Sequence, residues 1–159
     1  MMALRHHSNK PLELKQLDEE RRSYVSNSKP VGLWFEIVGG NPDWITWCAK
    51  DNYGKDRFGY SYILELNLSN ICLINNENQF LDFTELYKIN KCGFGLINFT
   101  EVMTDFKGII ISPYLHSCRG IDWYHGWDVA SGCVWDITAI TKVEQISAVY
   151  PEWKDESLL

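Results

Sequence analysis

The chain has 159 residues, 45% hydrophobic and 23% charged. That is enough for one soluble globular domain with its own core and excludes a chain that depends on disulfide staples. The net charge of −6 is uneven, with nine Lys and Arg against eight Asp and Glu over residues 1–57, and six against thirteen over 58–159. The acidic part excludes broad electrostatic binding of nucleic acid and leaves only a local basic face from Arg5, Lys10, Arg21, Arg22 and Lys29.

In chain order, residues 2–8 (MALRHHS) read as a short first strand. Residues 12–24 combine Leu12, Leu14 and Leu17 with a charged block, Asp18 to Arg22, as in an exposed helix or an ordered loop. Lys29-Pro30 predicts a turn, because proline fixes its own φ and pushes the preceding residue toward extended geometry. A strand then spans 32–37, where Gly32 permits close backbone approach and Leu33 to Ile37 are β-prone apart from Glu36. Gly39-Gly40-Asn41-Pro42 is turn chemistry. Asp43 can cap a short helix, 44–48, that carries Trp44 and Trp47 on one face.

Residues 51–59 (DNYGKDRFG) read as a polar loop, 60–68 as a strand with Tyr62, Leu64 and Leu66 on one face, and 71–74 as another short strand. Helices are expected over 79–87 and 97–106, separated by a break at Cys92-Gly-Phe-Gly95. The β-branched run 108–112 stops at Pro113. Residues 115–128 are loop-like, 131–136 and 142–149 are the last strands, and 152–159 are a loose tail. The expected organisation is a single α+β domain over 1–151.

Fourteen per cent of the chain is aromatic, with seven Trp and eight Tyr. An indole face suits a planar ligand and its N–H needs a partner, so such density points beyond core filling. Trp34 is then either the stacking wall of a ligand site or a core residue. The five cysteines, at 48, 72, 92, 118 and 133, are odd in number and form no C-x-x-C pair, which favours buried, inert thiols over a disulfide framework or a metal site. A hydrolase using Cys118 or His116 has no local signature behind it. With no apolar run of membrane-spanning length and no signal-like start, the expected location is the cytoplasm, with no membrane partner.

Three segments, taken in order, carry a resemblance. Leu4-Arg-His6-His-Ser8 resembles the L-x-H-G-T/S strand of the ADP-ribosyltransferase fold in its His-containing branch, shared by diphtheria toxin and the poly-ADP-ribose polymerases. Gly32-Leu-Trp34-Phe35 is similar to that branch's G-I-Y-F strand, and the helix bearing Trp44 and Trp47 to the aromatic helix that follows it. Gly132-Cys-Val-Trp-Asp136 resembles the late E-Y-I-V-Y-N strand. The chain is also similar to small bacterial and phage proteins with KPxGLW and WDxASGCxW signatures. The likeness covers the two ends of the chain and not its middle.

The resemblance implies a split β-sandwich with short peripheral helices, NAD as substrate, and transfer of ADP-ribose to a nucleic-acid or protein acceptor. It implies a toxin or phage-conflict effector, restrained by a cognate inhibitor. His6, helped by Ser8, would bind the adenosine-side ribose, and Trp34 would stack on nicotinamide, with Gly32, Trp44 and Trp47 completing the NAD site. The departure is at the family's catalytic glutamate, where this chain has Ser131, which can hydrogen-bond but carries no charge. Asp128, beside Trp127, is the nearest carboxylate; it either serves the reaction or caps the following turn. Glu36 and Asp136 are the further candidates. Without the glutamate, the alternative is a binding module on the same fold that captures a nucleotide or a partner without turnover.

Overall fold

The computed structural model describes residues 2–15, 29–89 and 95–155. Over these the chain is mixed α+β, with seven strands in one hydrogen-bonded sheet and three α-helices. The strands are β1 (Leu4–Ser8), β2 (Leu33–Ile37), β3 (Tyr60–Leu66), β4 (Ile71–Ile74), β5 (Gly108–Ile111), β6 (Ser131–Val134) and β7 (Ile140–Ile146). The helices are α1 (Trp44–Asp51), α2 (Glu77–Tyr87) and α3 (Phe99–Asp105).

The sheet order is β4-β5-β6-β2-β1-β3-β7. Only β4 and β5 run parallel, and α2 and α3 lie in the long crossover that a parallel pair requires. β1 and β2 meet in just two register pairs, Leu4↔Ile37 and Arg5↔Glu36, whereas β1 pairs with β3 along its whole length. The seam between β1 and β2 is where the site described below forms.

Local chemistry accounts for the elements. Asp43 accepts from the Thr46 amide at 2.9 Å and starts α1, and Asn52 ends it in the left-handed region at φ 53°. Asn76 caps α2 on the Gln79 amide at 2.9 Å, while Gln79 accepts from Asn75 N, so the helix begins two residues before the first predicted position. Its Phe80, Phe83 and Tyr87 are buried on one face. α3 starts later than predicted because Ile97 is taken by a bridge to Lys88 and Asn98 is the cap.

β6 is shorter than the predicted 131–136. The amides of Trp135 and Asp136 both turn to the Lys107 carbonyl, and the Asp136 carboxylate caps the turn at Thr138. Close approach needs glycine at two positions. A Cβ on Gly32 would lie 2.3 Å from the Val134 oxygen, and one on Gly132 would lie 2.5 Å from Phe35 and 2.7 Å from the Ile109 oxygen.

The core lies against β5 and β6 and is built largely of aromatics. Every residue of β5 is buried, and Phe80, Phe99, Trp123 and Tyr124 are fully enclosed. The segment 115–128 is irregular, as expected, yet its Leu115, Cys118, Trp123, Tyr124 and Trp127 are buried in this core. Trp123 stacks on Phe80 at 4.8 Å and donates to Thr84 Oγ1 at 3.0 Å, and the Tyr124 hydroxyl accepts from Leu115 N at 3.1 Å.

The tail expected to be loose from 152 is anchored, since the Trp153 indole donates to the Tyr53 carbonyl at 3.0 Å and packs on Phe58 at 5.6 Å. The expectations for residues 16–24, for Arg21 and Arg22, for the break at 92–94 and for 156–159 lie outside the described residues. No helix among the described residues is long and apolar enough to cross a membrane.

Candidate functional site

Alternation along β2 sets the site. Leu33, Phe35 and Ile37 point into the core, and Trp34 and Glu36 point to the opposite face. The register β1–β2–β6 places Arg5, Glu36 and Ser131 side by side, because residues paired across neighbouring strands share a face. A cleft of about 500 Å³ opens over this row, within the size range of small-molecule sites. It brings together His6, Trp34, Trp44, Trp47, Asp128 and Ser131. Ser8 and Gly32 do not line it. The Ser8 hydroxyl is bonded to the Lys10 carbonyl, and Gly32 serves the close packing of β2 on β6.

The floor is a buried charge network. Glu36 is 3% exposed, so its carboxylate lies in the floor and not in solvent. Its Oε1 accepts from Arg5 Nε and Nη2, each at 2.6 Å, and from His7 Nε2 at 2.9 Å. Its Oε2 accepts from the Ile45 amide in the first turn of α1 at 3.2 Å, one of the donors a helix start leaves unmatched. His7 Nδ1 meets Ser61 Oγ at 3.0 Å, and Ser61 Oγ accepts from the Val149 amide at 2.9 Å. Burial with so many partners is how a protein keeps a carboxylate out of water. Arg5 therefore belongs to the floor and not to a solvent-facing basic patch.

His6 sits just past the last β1–β2 pair. Its Nδ1 is 2.6 Å from the Trp34 carbonyl, and a carbonyl can only accept, so Nδ1 carries the proton and Nε2 is left as an acceptor. Burial holds its pKa below the ordinary 6.5, against the Trp34 hydrogen bond, with His7 adding to the depression. The ring is neutral at pH 7.

The walls are aromatic and cationic. Trp44 and Trp47 stack at 5.1 Å with 7° between planes, three residues apart on α1 as the sequence predicts. Tyr53 meets both edge-on. Trp34 makes an edge contact to Trp127 at 4.8 Å, and Lys29 Nζ lies 5.3 Å from the Trp34 ring centre. The Arg57 guanidinium lies 5.1 Å from the Tyr53 ring centre, with no ion pair to a described residue.

Burial pushes the Lys29 pKa down; Asp128 opposes this and Arg57 adds to it. The two cations thus share the cleft, facing Asp128. The buried Trp127 indole N–H has no hydrogen-bond partner among the described residues. Ser131 Oγ donates to the Val129 carbonyl at 3.1 Å. Asp136 lies away from the cleft, capping its own turn.

The cysteine chemistry is closed off. Cys48, Cys72, Cys118 and Cys133 are buried free thiols. Burial pushes Cys118 up in pKa, with only a weak contact to Ser117, and its neighbour His116 packs against Tyr114 instead. A Cys118 nucleophile is excluded by this burial. Among the described residues no cluster of three or more His, Cys, Asp or Glu could hold a metal ion.

Beyond the residues expected from the sequence, the cleft holds the Arg5–Glu36–His7 network, Arg57 and Tyr53. Glu36 had a signal, because it lies two residues after Trp34 on a strand. Arg57 and Tyr53 had none, since the loop 52–59 reaches the cleft through tertiary packing alone. No family model, curated protein or solved structure matches the chain.

Proposed function

We propose that the protein is an NAD-consuming ADP-ribosyltransferase on a split β-sandwich of that type, transferring ADP-ribose to a macromolecular acceptor. The observation that carries this reading is the coupling of His6 to the Trp34 carbonyl in one cleft with Ser131 and Asp128. The fixed, neutral His6 offers Nε2 to a ribose hydroxyl. The Trp34 face already attracts a cation, Lys29, and suits the positively charged nicotinamide ring. Lys29 and Arg57 supply positive charge for the diphosphate, and the cleft opens where β1 and β2 part after two register pairs.

The nicotinamide–ribose bond breaks through an oxocarbenium-like transition state, which a fixed negative charge stabilises. Glu36, beside Ser131, is already engaged by Arg5 and His7, which leaves Asp128 to provide that charge. The test is release of free nicotinamide from NAD, together with transfer of label from NAD to macromolecules. Asp128→Asn should lower turnover by about two to four orders of magnitude with the fold intact. Ser131→Ala should cost about 0.5–1.5 kcal/mol, the worth of a neutral hydrogen bond. Full activity in Asp128→Asn would sink the assignment.

The second reading is a binding module without turnover. It is favoured by the uncharged Ser131 together with the neutralised Glu36. It predicts that NAD or ADP-ribose binds and that no nicotinamide appears.

A further inference from the structure

The sheet has two edges, and they differ. β4 has four residues, three of them buried, whereas β7 has seven, and among the described residues no strand lies on its outer side. The alternation of hydrogen bonds across the sheet fixes which groups β7 turns outward. The Val38 amide donates to the Ala3 carbonyl at 2.9 Å, so Ala3 and Arg5 turn their backbone to β2, and Leu4, His6 and Ser8 turn theirs to β3. Their partners Leu64, Tyr62 and Tyr60 face back, which leaves Ser61, Ile63 and Glu65 to bond Ile146, Glu144 and Lys142 of β7. Val143 and Gln145 therefore point their N–H and C=O away from the sheet, where no described strand meets them.

The side chains sort by the same alternation. Val143 packs toward the core, paired with Leu64. Lys142 and Glu144 share the opposite face with their β3 partners Glu65 and Ile63, the face on which Arg5 and Glu36 floor the cleft. Lys142 Nζ lies 3.7 Å from Glu144 and 3.9 Å from Glu65, and all three side chains are more than half exposed. Such loose pairs are worth little and leave the charges open to another strand.

A lysine in the middle of an open edge ordinarily repels an incoming strand. One strand turns it to advantage. A second β7 laid antiparallel, with a two-fold axis at Val143, lets the two Val143 residues exchange both N–H···O=C bonds. Each Lys142 then stands opposite Glu144 of the other copy, in the closely spaced, non-hydrogen-bonded kind of pair. Centring the axis on Lys142 or on Glu144 instead would set like charges face to face. We infer that the protein forms a two-fold dimer in which a second copy of the chain adds its β7 to this edge about Val143. The axis crosses the sheet, so the two sheets join and both clefts open on the same side. β3 separates each cleft floor from the interface, and the inference holds whatever the clefts bind.

The experiment is sedimentation velocity of the full chain at rising concentration, with amide hydrogen exchange read by magnetic resonance on the same samples. A species of twice the chain mass should appear, and the Val143 amide should become protected as it forms. The Lys142 and Glu144 amides, already bonded to β3, should be protected throughout. Lys142→Glu or Glu144→Lys should weaken association about ten- to a hundredfold, because two facing pairs turn from opposite to like charge. Lys142→Glu/Glu144→Lys together should restore most of it. Both positions are exposed, so circular dichroism should report the same fold for all three variants.

A chain that stays monomeric overturns the inference, and so does a dimer whose Val143 amide remains unprotected. Single reversals without effect, or a double exchange that associates no better than the singles, overturn it as well.

Discussion

Two aromatic clusters stand on the two sides of this protein's chemistry. In the core, Phe80, Trp123 and Tyr124 are enclosed, and the polar ends of Trp123 and Tyr124 are matched within the protein. In the cleft, Trp34, Trp44 and Trp47 are only partly buried, Tyr53 is 39% exposed, and cations rather than aliphatic groups sit on the rings of Trp34 and Tyr53. The same residue types therefore answer to different demands. In one place they fill space; in the other they hold flat faces open at the water boundary.

The comparison is most directly tested by truncation. Trp123→Ala should lose about 3–5 kcal/mol of stability, the usual cost of emptying a large core site, with a fall in melting temperature of roughly 10 °C. Trp44→Ala should lose about 1 kcal/mol or less, as at sites outside the core. Equal losses in thermal unfolding would erase the distinction.

Glu36→Ala sharpens the comparison from the cleft floor. It leaves Arg5 and His7 enclosed without their counter-charge, and should cost about 3–5 kcal/mol in denaturant titration. A cost near zero would show the floor to be open to water. Gly32→Ala should cost about 1–3 kcal/mol, because its Cβ would meet the Val134 backbone and not a movable side chain.

Trp34 tests whether the two clusters also divide by function. Trp34→Ala should weaken NAD binding by about 1–3 kcal/mol, and Trp34→Phe should keep much of it. If both bind NAD like the unmodified protein and only stability falls, Trp34 belongs with the core cluster after all.

The smallest effect is a pH dependence. His6 has a folded-state pKa below its unfolded value, so the unfolded chain binds the proton more readily. The stability it contributes is complete above about pH 6.5 and is lost as pH falls through the folded value. His6→Gln should flatten this part of the unfolding profile below about pH 6.5.

Much of this was legible in the sequence, for local reasons. Asp43 and the i,i+3 spacing of Trp44 and Trp47 declare their helix through capping and periodicity alone. Gly32-Leu-Trp-Phe declares a strand, and alternation along it gives Trp34 and Glu36 a common side. The rest depends on contacts remote in sequence. Nothing near Glu36 announces that Arg5 and His7 will enclose it, because those residues arrive on another strand. Nothing in 115–128 announces that an irregular segment fills the core. Its rings replace a regular element by packing on α2, which local propensity does not encode. The late strand stops short of 136 because the Lys107 carbonyl, 28 residues upstream of Trp135, competes for the amides that would have extended it.

The polar chain from the Ile45 amide through Glu36, His7 and Ser61 to the Val149 amide crosses from α1 to the segment after β7. It makes two backbone amides into built-in probes of the cleft floor. In a proton–nitrogen correlation spectrum, Ile45 and Val149 should shift together when a ligand disturbs Glu36, although Val149 lies outside the cleft lining. The floor can therefore be watched by magnetic resonance without a label in the site and without altering any residue that touches the ligand.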